Sequence, residues 1–168
     1  FREKELLLRW MEVNAFTAVF RTHEGNRPDD NIQIYSDDET LTHFARMAQV
    51  YAALGFYRQE LAQEAAATGL PLVRHLFIHY PDDPHVYDLS YQEFMLGSEF
   101  LIAPVLDPGV DEVSVYLPEG EWVHVWTGEV YNGRQTITIP APLGQPGLFY
   151  RTGSAAGAQF MANLTGVE

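Results

Sequence analysis

The apolar residues of the chain follow two spacings. In the first half they recur every three or four residues, and in the second half they alternate in short runs. Over residues 2–14, Leu6, Leu7, Trp10, Met11 and Val13 fall near one face, with Arg2, Glu3, Lys4 and Arg9 elsewhere. That spacing predicts an amphipathic helix, which Asn14 can close. Phe16-Thr-Ala-Val-Phe20 follows directly, and its bulky and β-branched residues predict a strand. Residues 25–35 are rich in turn formers and predict a loop. Ser36-Asp-Asp-Glu39 has the form of a capping box, with Ser36 as the cap. A helix is expected from there to about Leu54, with Leu41, Phe44, Ala45, Ala48, Tyr51 and Ala52 as its apolar stripe. A second helix covers about Phe56 to Thr68 and is stopped by Gly69 and Pro71. Leu72-Val-Arg-His-Leu-Phe-Ile-His-Tyr80 predicts a covered strand. The order strand, helices, strand predicts a parallel β-α-β unit, whose further neighbours lie outside this sequence.

Pro81-Asp-Asp-Pro84 marks a turn, and residues 85–97 suggest a short helix ending at Gly97. From Phe100 the period changes. Runs at 100–105, 113–117, 122–126, 135–139 and 148–150 are separated by turn dipeptides such as Pro108-Gly109, Asn132-Gly133 and Pro146-Gly147. Short, evenly spaced strands predict an antiparallel sandwich. Ile137 and Ile139 are expected on its buried face. After Thr152 the chain turns small and Gly/Ala-rich, with Phe160, Met161 and Leu164 able to dock.

Composition narrows the partners. The 168 residues are 46% apolar, enough for a packed core. The net charge is −13 and Lys4 is the single lysine. Such a surface repels phosphate backbones and anionic lipid, so neither nucleic acid nor membrane is an expected partner. The absence of cysteine removes disulfide and thiolate chemistry. The chain opens on Phe1 in charged, helical sequence. We read it as an excerpt of a longer protein, with a cytoplasmic location favoured.

The densest chemistry sits behind the first predicted strand, in Arg21-Thr-His-Glu24. In a β/α barrel the C-terminal ends of the strands face the active site, and charged side chains gathered there need a ligand or each other. Spacing alone favours mutual satisfaction: an Arg21–Glu24 ion pair with His23 as a satisfied core histidine. His75 and His79 are too far apart on a strand to share a metal directly. Asp29, Asp30, Asp37, Asp38, Asp82 and Asp83 stand in turns or caps. Trp122 and Trp126, expected on one strand face, suit either a core or a sugar-stacking surface. Asn163-Leu-Thr165 matches a glycosylation pattern, with nothing else to support its use.

Leu96-Gly-Ser-Glu-Phe-Leu-Ile-Ala-Pro-Val105, Val115-Tyr-Leu-Pro-Glu-Gly-Glu-Trp122 and Trp126-Thr-Gly128 together resemble the C-terminal hallmark of glycoside hydrolase family 31. The likeness runs from the first helix to about Arg151. It implies the last strands and helices of a (β/α)8 barrel over residues 1–80, a connection over 81–99 and a C-terminal β-sandwich over 100–168. Arg21-Thr-His-Glu-Gly-Asn-Arg-Pro28 resembles the branch of the family that cleaves α-linked sulfoquinovosides; α-glucosidases and α-xylosidases of the same family are the alternative. Arg74-His75 stands where the family commonly has Arg-Pro. The resemblance implies that His23 contacts the sugar, that Arg21 supports it and that Glu24 contributes more weakly. It also implies a retaining mechanism through two aspartates on earlier strands, so no catalytic residue is expected in this segment. No cofactor is implied. The expected partners are an α-glycoside, such as sulfoquinovosyl glycerol, and the rest of the chain's own barrel. A reading of another class is a non-catalytic carbohydrate-binding or structural sandwich.

Overall fold

A computed structural model describes residues 1–165. Three helices come first: α1 (Lys4–Asn14), α2 (Asp38–Ala53) and α3 (Gly55–Thr68). Eight strands follow: β1 (Val73–Arg74), β2 (Phe94–Leu96), β3 (Phe100–Ala103), β4 (Glu112–Leu117), β5 (Glu121–His124), β6 (Val130–Asn132), β7 (Gln135–Pro140) and β8 (Gly147–Arg151). Helix α4 (Ala155–Thr165) closes the described chain. The strands form a six-stranded sheet in the order β1-β2-β3-β8-β5-β6 and a two-stranded sheet of β4 and β7, and every pairing is antiparallel.

The large sheet is a middle layer. Leu96, Phe100, Ile102 and Leu148 point to a core shared with α1, α2, α3 and Phe160 of α4. Their neighbours Met95, Leu101, Ala103 and Phe149 point to a second core, shared with Val115 and Leu117 of β4, Ile139 of β7 and Trp122. Strands covered on both faces have no polar side, which is why β3 reads as an unbroken apolar run.

The family-like motifs acquire physical reasons. Gly97, in Leu96-Gly-Ser-Glu-Phe100, turns β2 into β3 with φ +58°, and a Cβ there would lie 2.2 Å from the Tyr57 hydroxyl. That hydroxyl accepts from the backbone N–H of Ser98 (3.2 Å) and Glu99 (3.3 Å), so the close approach fastens α3 to the turn. Gly97→Ala is expected to cost about 2–4 kcal/mol, combining overpacking with left-handed strain. A denaturant midpoint unchanged by the substitution would count against it. Trp122 is fully buried and donates its indole N–H to Pro118 O at 2.9 Å. Trp126 lies beyond the end of β5 and donates to Pro146 O at 2.6 Å. The two rings therefore serve different cores, rather than one face as expected.

Several expectations are corrected. Phe16–Phe20 is not a strand: it pairs with nothing among the described residues. The run 72–80 contributes only Val73 and Arg74, which pair antiparallel with β2 before the chain turns into a 3₁₀ segment at Leu76–Ile78. The expected parallel unit is thus absent, and the described residues form no barrel. The apolar run has another use: Val73 and Arg74 fill the edge of β2, and Leu76 is fully buried in the second core. Phe94–Leu96 is a strand, not part of a helix, and β6 was missed because its side chains are mostly exposed and show no alternation. The C-terminal tail is a helix, and Phe160 docks edge-on to Phe100 at 5.5 Å. Asp37, not Ser36, caps α2, with Thr40 as its reciprocal partner; Ser36 instead accepts from the Gln33 N–H at 2.8 Å.

Helices α1 and α2 each bury a face rotated from the apolar stripe read in sequence. In α1 the buried residues include Leu7, Leu8, Met11, Arg9 and Glu12, while Leu6 and Trp10 are more than half exposed. In α2 Thr40, His43, Met47, Val50 and Ala53 are buried, and Leu41 is exposed. Paired polar groups make this possible. Arg9 bridges Glu12 (3.0 Å), Ala141 O (3.0 Å) and Val110 O (2.8 Å), while Glu12 accepts the Gly144 N–H at 2.6 Å. His43 Nε2 lies 3.0 Å from Leu8 O.

Candidate functional site

The segment after α1 is held by side chains rather than by a sheet. Arg58 is buried and donates to the carbonyls of Ala15, Thr17 and Tyr51 while lying against the Tyr51 ring. With no carboxylate beside it, burial lowers its pKa to about 10, still fully cationic at neutral pH. Phe16 is fully buried, and the Phe20 ring stacks between Phe44 and Tyr51 at 5.4 Å from each. These contacts fix the root of the segment. The polar residues that follow emerge at its far end.

Arg21 and His23 line one cleft of about 370 Å³, together with Arg2, Trp10, Asn14 and Phe20. Both are exposed, as is Glu24. The His23 ring accepts the Gly25 N–H at Nδ1 (3.1 Å), which leaves Nε2 to carry the proton of the neutral ring. Arg2 donates to the His23 carbonyl at 2.9 Å and Asn14 to that of Arg21 at 3.2 Å. Glu24 accepts from the Tyr35 hydroxyl at 3.2 Å, and its charge pushes the Tyr35 pKa up. No Arg21–Glu24 ion pair forms among the described residues, and His23 is not a core histidine. The interpretation of these three residues as mutually satisfied does not hold. A cleft that presents an imidazole N–H and a guanidinium beside the Trp10 and Phe20 rings can hydrogen-bond a polyol. Sequence reasoning missed Arg2, Trp10 and Asn14. Sequence carried no signal for them: Trp10 was read on the apolar face of the helix, and only the structure shows it 58% exposed.

The remaining candidates are engaged elsewhere. Asp37 caps α2 and pairs with Lys4, and Asp83 caps a 3₁₀ turn while accepting the Tyr116 hydroxyl at 2.6 Å. His75 Nε2 lies 3.0 Å from Leu89 O, and His79 Nε2 lies 3.3 Å from the Arg74 guanidinium. Burial and that neighbouring cation lower the His79 pKa. Among the described residues no cluster of His, Asp and Glu could hold a metal, and no helix is long and apolar enough to cross a membrane.

The profile of the glycosyl hydrolase family 31 C-terminal domain matches residues 69–155, just over half of the sequence. The chain belongs to glycosyl hydrolase family 31. The matched residues hold β1 to β8, so the antiparallel sheets described above are the C-terminal domain of family 31. The sulfoquinovosidase of Escherichia coli K12 is 50% identical over 159 residues, which is 95% of this chain and 23% of that enzyme. The sulfoquinovosidase of Agrobacterium fabrum is 49% identical over 155 residues, again spanning 23% of its length. A solved family 31 sulfoquinovosidase from E. rectale, in complex with the aza-sugar inhibitor IFGSQ, superposes with a TM-score of 0.93 at 46% identity. The superposition covers 99% of this chain and 25% of that one. The chain thus spans about a quarter of the length of these sulfoquinovosidases.

Proposed function

We propose that the chain is the C-terminal part of a retaining α-glycosidase that hydrolyses α-linked sulfoquinovosides. The observation that carries this is the 50% identity to a sulfoquinovosidase across 95% of the chain. In this reading the helices and loops before β1 belong with a (β/α)8 barrel whose other strands come from sequence outside the chain, and the antiparallel domain that follows begins at β1 rather than at residue 100. Phe16–Phe20, rooted by Arg58 but unpaired among the described residues, is then a barrel strand awaiting its neighbours. The exposed Leu6 of α1 then faces the rest of that barrel.

The cleft supplies binding, not bond breaking. His23 Nε2–H donates to a hydroxyl of the sugar in the cleavage subsite and holds it in line with the nucleophile. Arg21 organises that corner, and Glu24 borders it. Nucleophile and acid/base are two aspartates outside this chain. One attacks the anomeric carbon; the other protonates the leaving oxygen and then activates water. The substrate is a soluble α-glycoside of the sulfoquinovosyl glycerol type, and the strongly acidic surface suits neither nucleic acid nor membrane partners.

The test uses the full-length protein with chromogenic α-sulfoquinovoside, α-glucoside and α-xyloside. Turnover is expected on the first and not from residues 1–168 alone. His23→Ala is expected to lower kcat/KM by about 10²- to 10³-fold, the effect of removing one positioned donor, with the melting midpoint retained. A preference for the glucoside, or an active 168-residue segment, would overturn the reading.

A further inference from the structure

The loop from Glu24 to Gln33 has no helix or strand, yet one buried amide ties it together. Gln33 is only 6% exposed. Its Nε2 group donates to Pro28 O and Asn31 O, both at 3.2 Å, and reaches Glu24 O at 3.4 Å. Its Oε1 accepts from the Arg2 guanidinium at 3.0 Å. Arg2 in turn donates to Ile32 O (2.6 and 3.0 Å) and to the carbonyl of His23 itself (2.9 Å). The Arg2 backbone N–H is held by Asn31 Oδ1 at 2.7 Å. The buried Gln33 carboxamide, with Asn31 beside it, therefore closes the loop from inside and anchors the cation that grips the His23 backbone.

We propose that Gln33 is a positioning residue for His23, acting through Arg2 and through the turn at Glu24. The link to the ring is short. The imidazole is oriented by the Gly25 N–H, and the carbonyl preceding that N–H is the Glu24 oxygen held by Gln33 and Asn31. Removing the Gln33 carboxamide leaves the Glu24 oxygen to Asn31 alone and releases the Arg2 guanidinium from Gln33 Oε1, so the ring that must meet a sugar hydroxyl is held less firmly. An error of about 1 Å in such a group costs up to about 10²-fold in rate. The inference rests on reading His23 as the substrate contact.

The experiment is a double-mutant cycle in the full-length protein. Gln33→Met keeps the length and apolar body of the side chain but removes both polar ends. Measured with the chromogenic α-sulfoquinovoside, it is expected to lower kcat/KM by about 10- to 100-fold with a melting midpoint close to that of the parent. In a His23→Ala background the same change is expected to cost almost nothing further, because its effect passes through the missing ring. An equal loss in both backgrounds, or no loss in the parent, overturns the positioning role while leaving His23 as the sugar contact. If His23→Ala itself changes nothing, the reading of His23 fails and the role of Gln33 with it. Should Gln33→Met not fold, Arg2→Met runs the same cycle. It removes the grip on the His23 carbonyl directly and carries the same expected pattern.

Discussion

Glu93→Gln is expected to remove a large loss of stability at alkaline pH. Glu93 precedes β2 and is 3% exposed. One carboxylate oxygen accepts the Tyr116 N–H of β4 at 2.9 Å, and the other is buried with no hydrogen-bond partner among the described residues. Among the described residues no cation stands within ion-pair distance of it. Burial therefore pushes its pKa up from 4.5 to about 8, only partly offset by the Tyr116 N–H. Between those two values the folded state holds a proton that the unfolded chain has released. The stability this group supplies is complete below pH 4.5 and is lost as pH rises towards 8. The loss is about 1.4 kcal/mol per pH unit, roughly 5 kcal/mol at most over the whole span. Glutamine keeps the acceptor for Tyr116 and cannot ionise. Denaturant titrations of parent and variant at pH 5 and pH 8.5 are expected to give similar stabilities at the first and a gap of several kcal/mol, in favour of the variant, at the second. Curves that stay parallel would show that Glu93 does not govern the slope.

Arg9→Met is expected to be the most damaging single change in the helical layer. Arg9 and Glu12 are 8% and 1% exposed, and together they hold three backbone groups from the loops around Val110 and Ala141–Gly144. Burial already raises the Glu12 pKa against the opposing pull of the Gly144 N–H and of Arg9. Removing the guanidinium takes away the hydrogen-bonded counter-charge of Glu12 and leaves the weaker pull of Arg46, at a cost of about 3 kcal/mol. Arg9→Met with Glu12→Gln is expected to be more stable than Arg9→Met alone, since no lone charge is left behind. Chemical denaturation of the single and double variants decides this. A single-variant loss below about 1 kcal/mol, or a double variant no better than the single, contradicts it.

These two sites show what the sequence did and did not disclose. Strands β3, β4, β5, β7 and β8 were legible because each is a short apolar run between turn dipeptides, and Gly69 behaves as the helix stop it resembles, with φ +81°. Helix faces were harder. Arg9, Glu12, Thr40 and His43 look like solvent-facing residues until their partners, distant in sequence, are known. The strand at Phe94–Leu96 is covered on both sides, so its three residues show no alternation to distinguish them from a helix. Phe16–Phe20 has strand chemistry but no strand partner here; propensity cannot supply a neighbour. At the site, Arg21 and His23 were legible as a polar cluster behind an apolar run. Arg2 and Gln33 were not, because an ordinary helix-start arginine and a loop glutamine carry no signature of burial or of the carbonyls they hold.

The position of β8 has a consequence for how the protein is made. This strand is the last of the eight among the described residues, yet it lies between β3 and β5 at the centre of the large sheet. Until the ribosome has released Gly147–Arg151, the nascent domain consists of two half-sheets with raw edges facing each other across a gap. A chain halted before that point presents open edges on which unrelated polypeptides can pair.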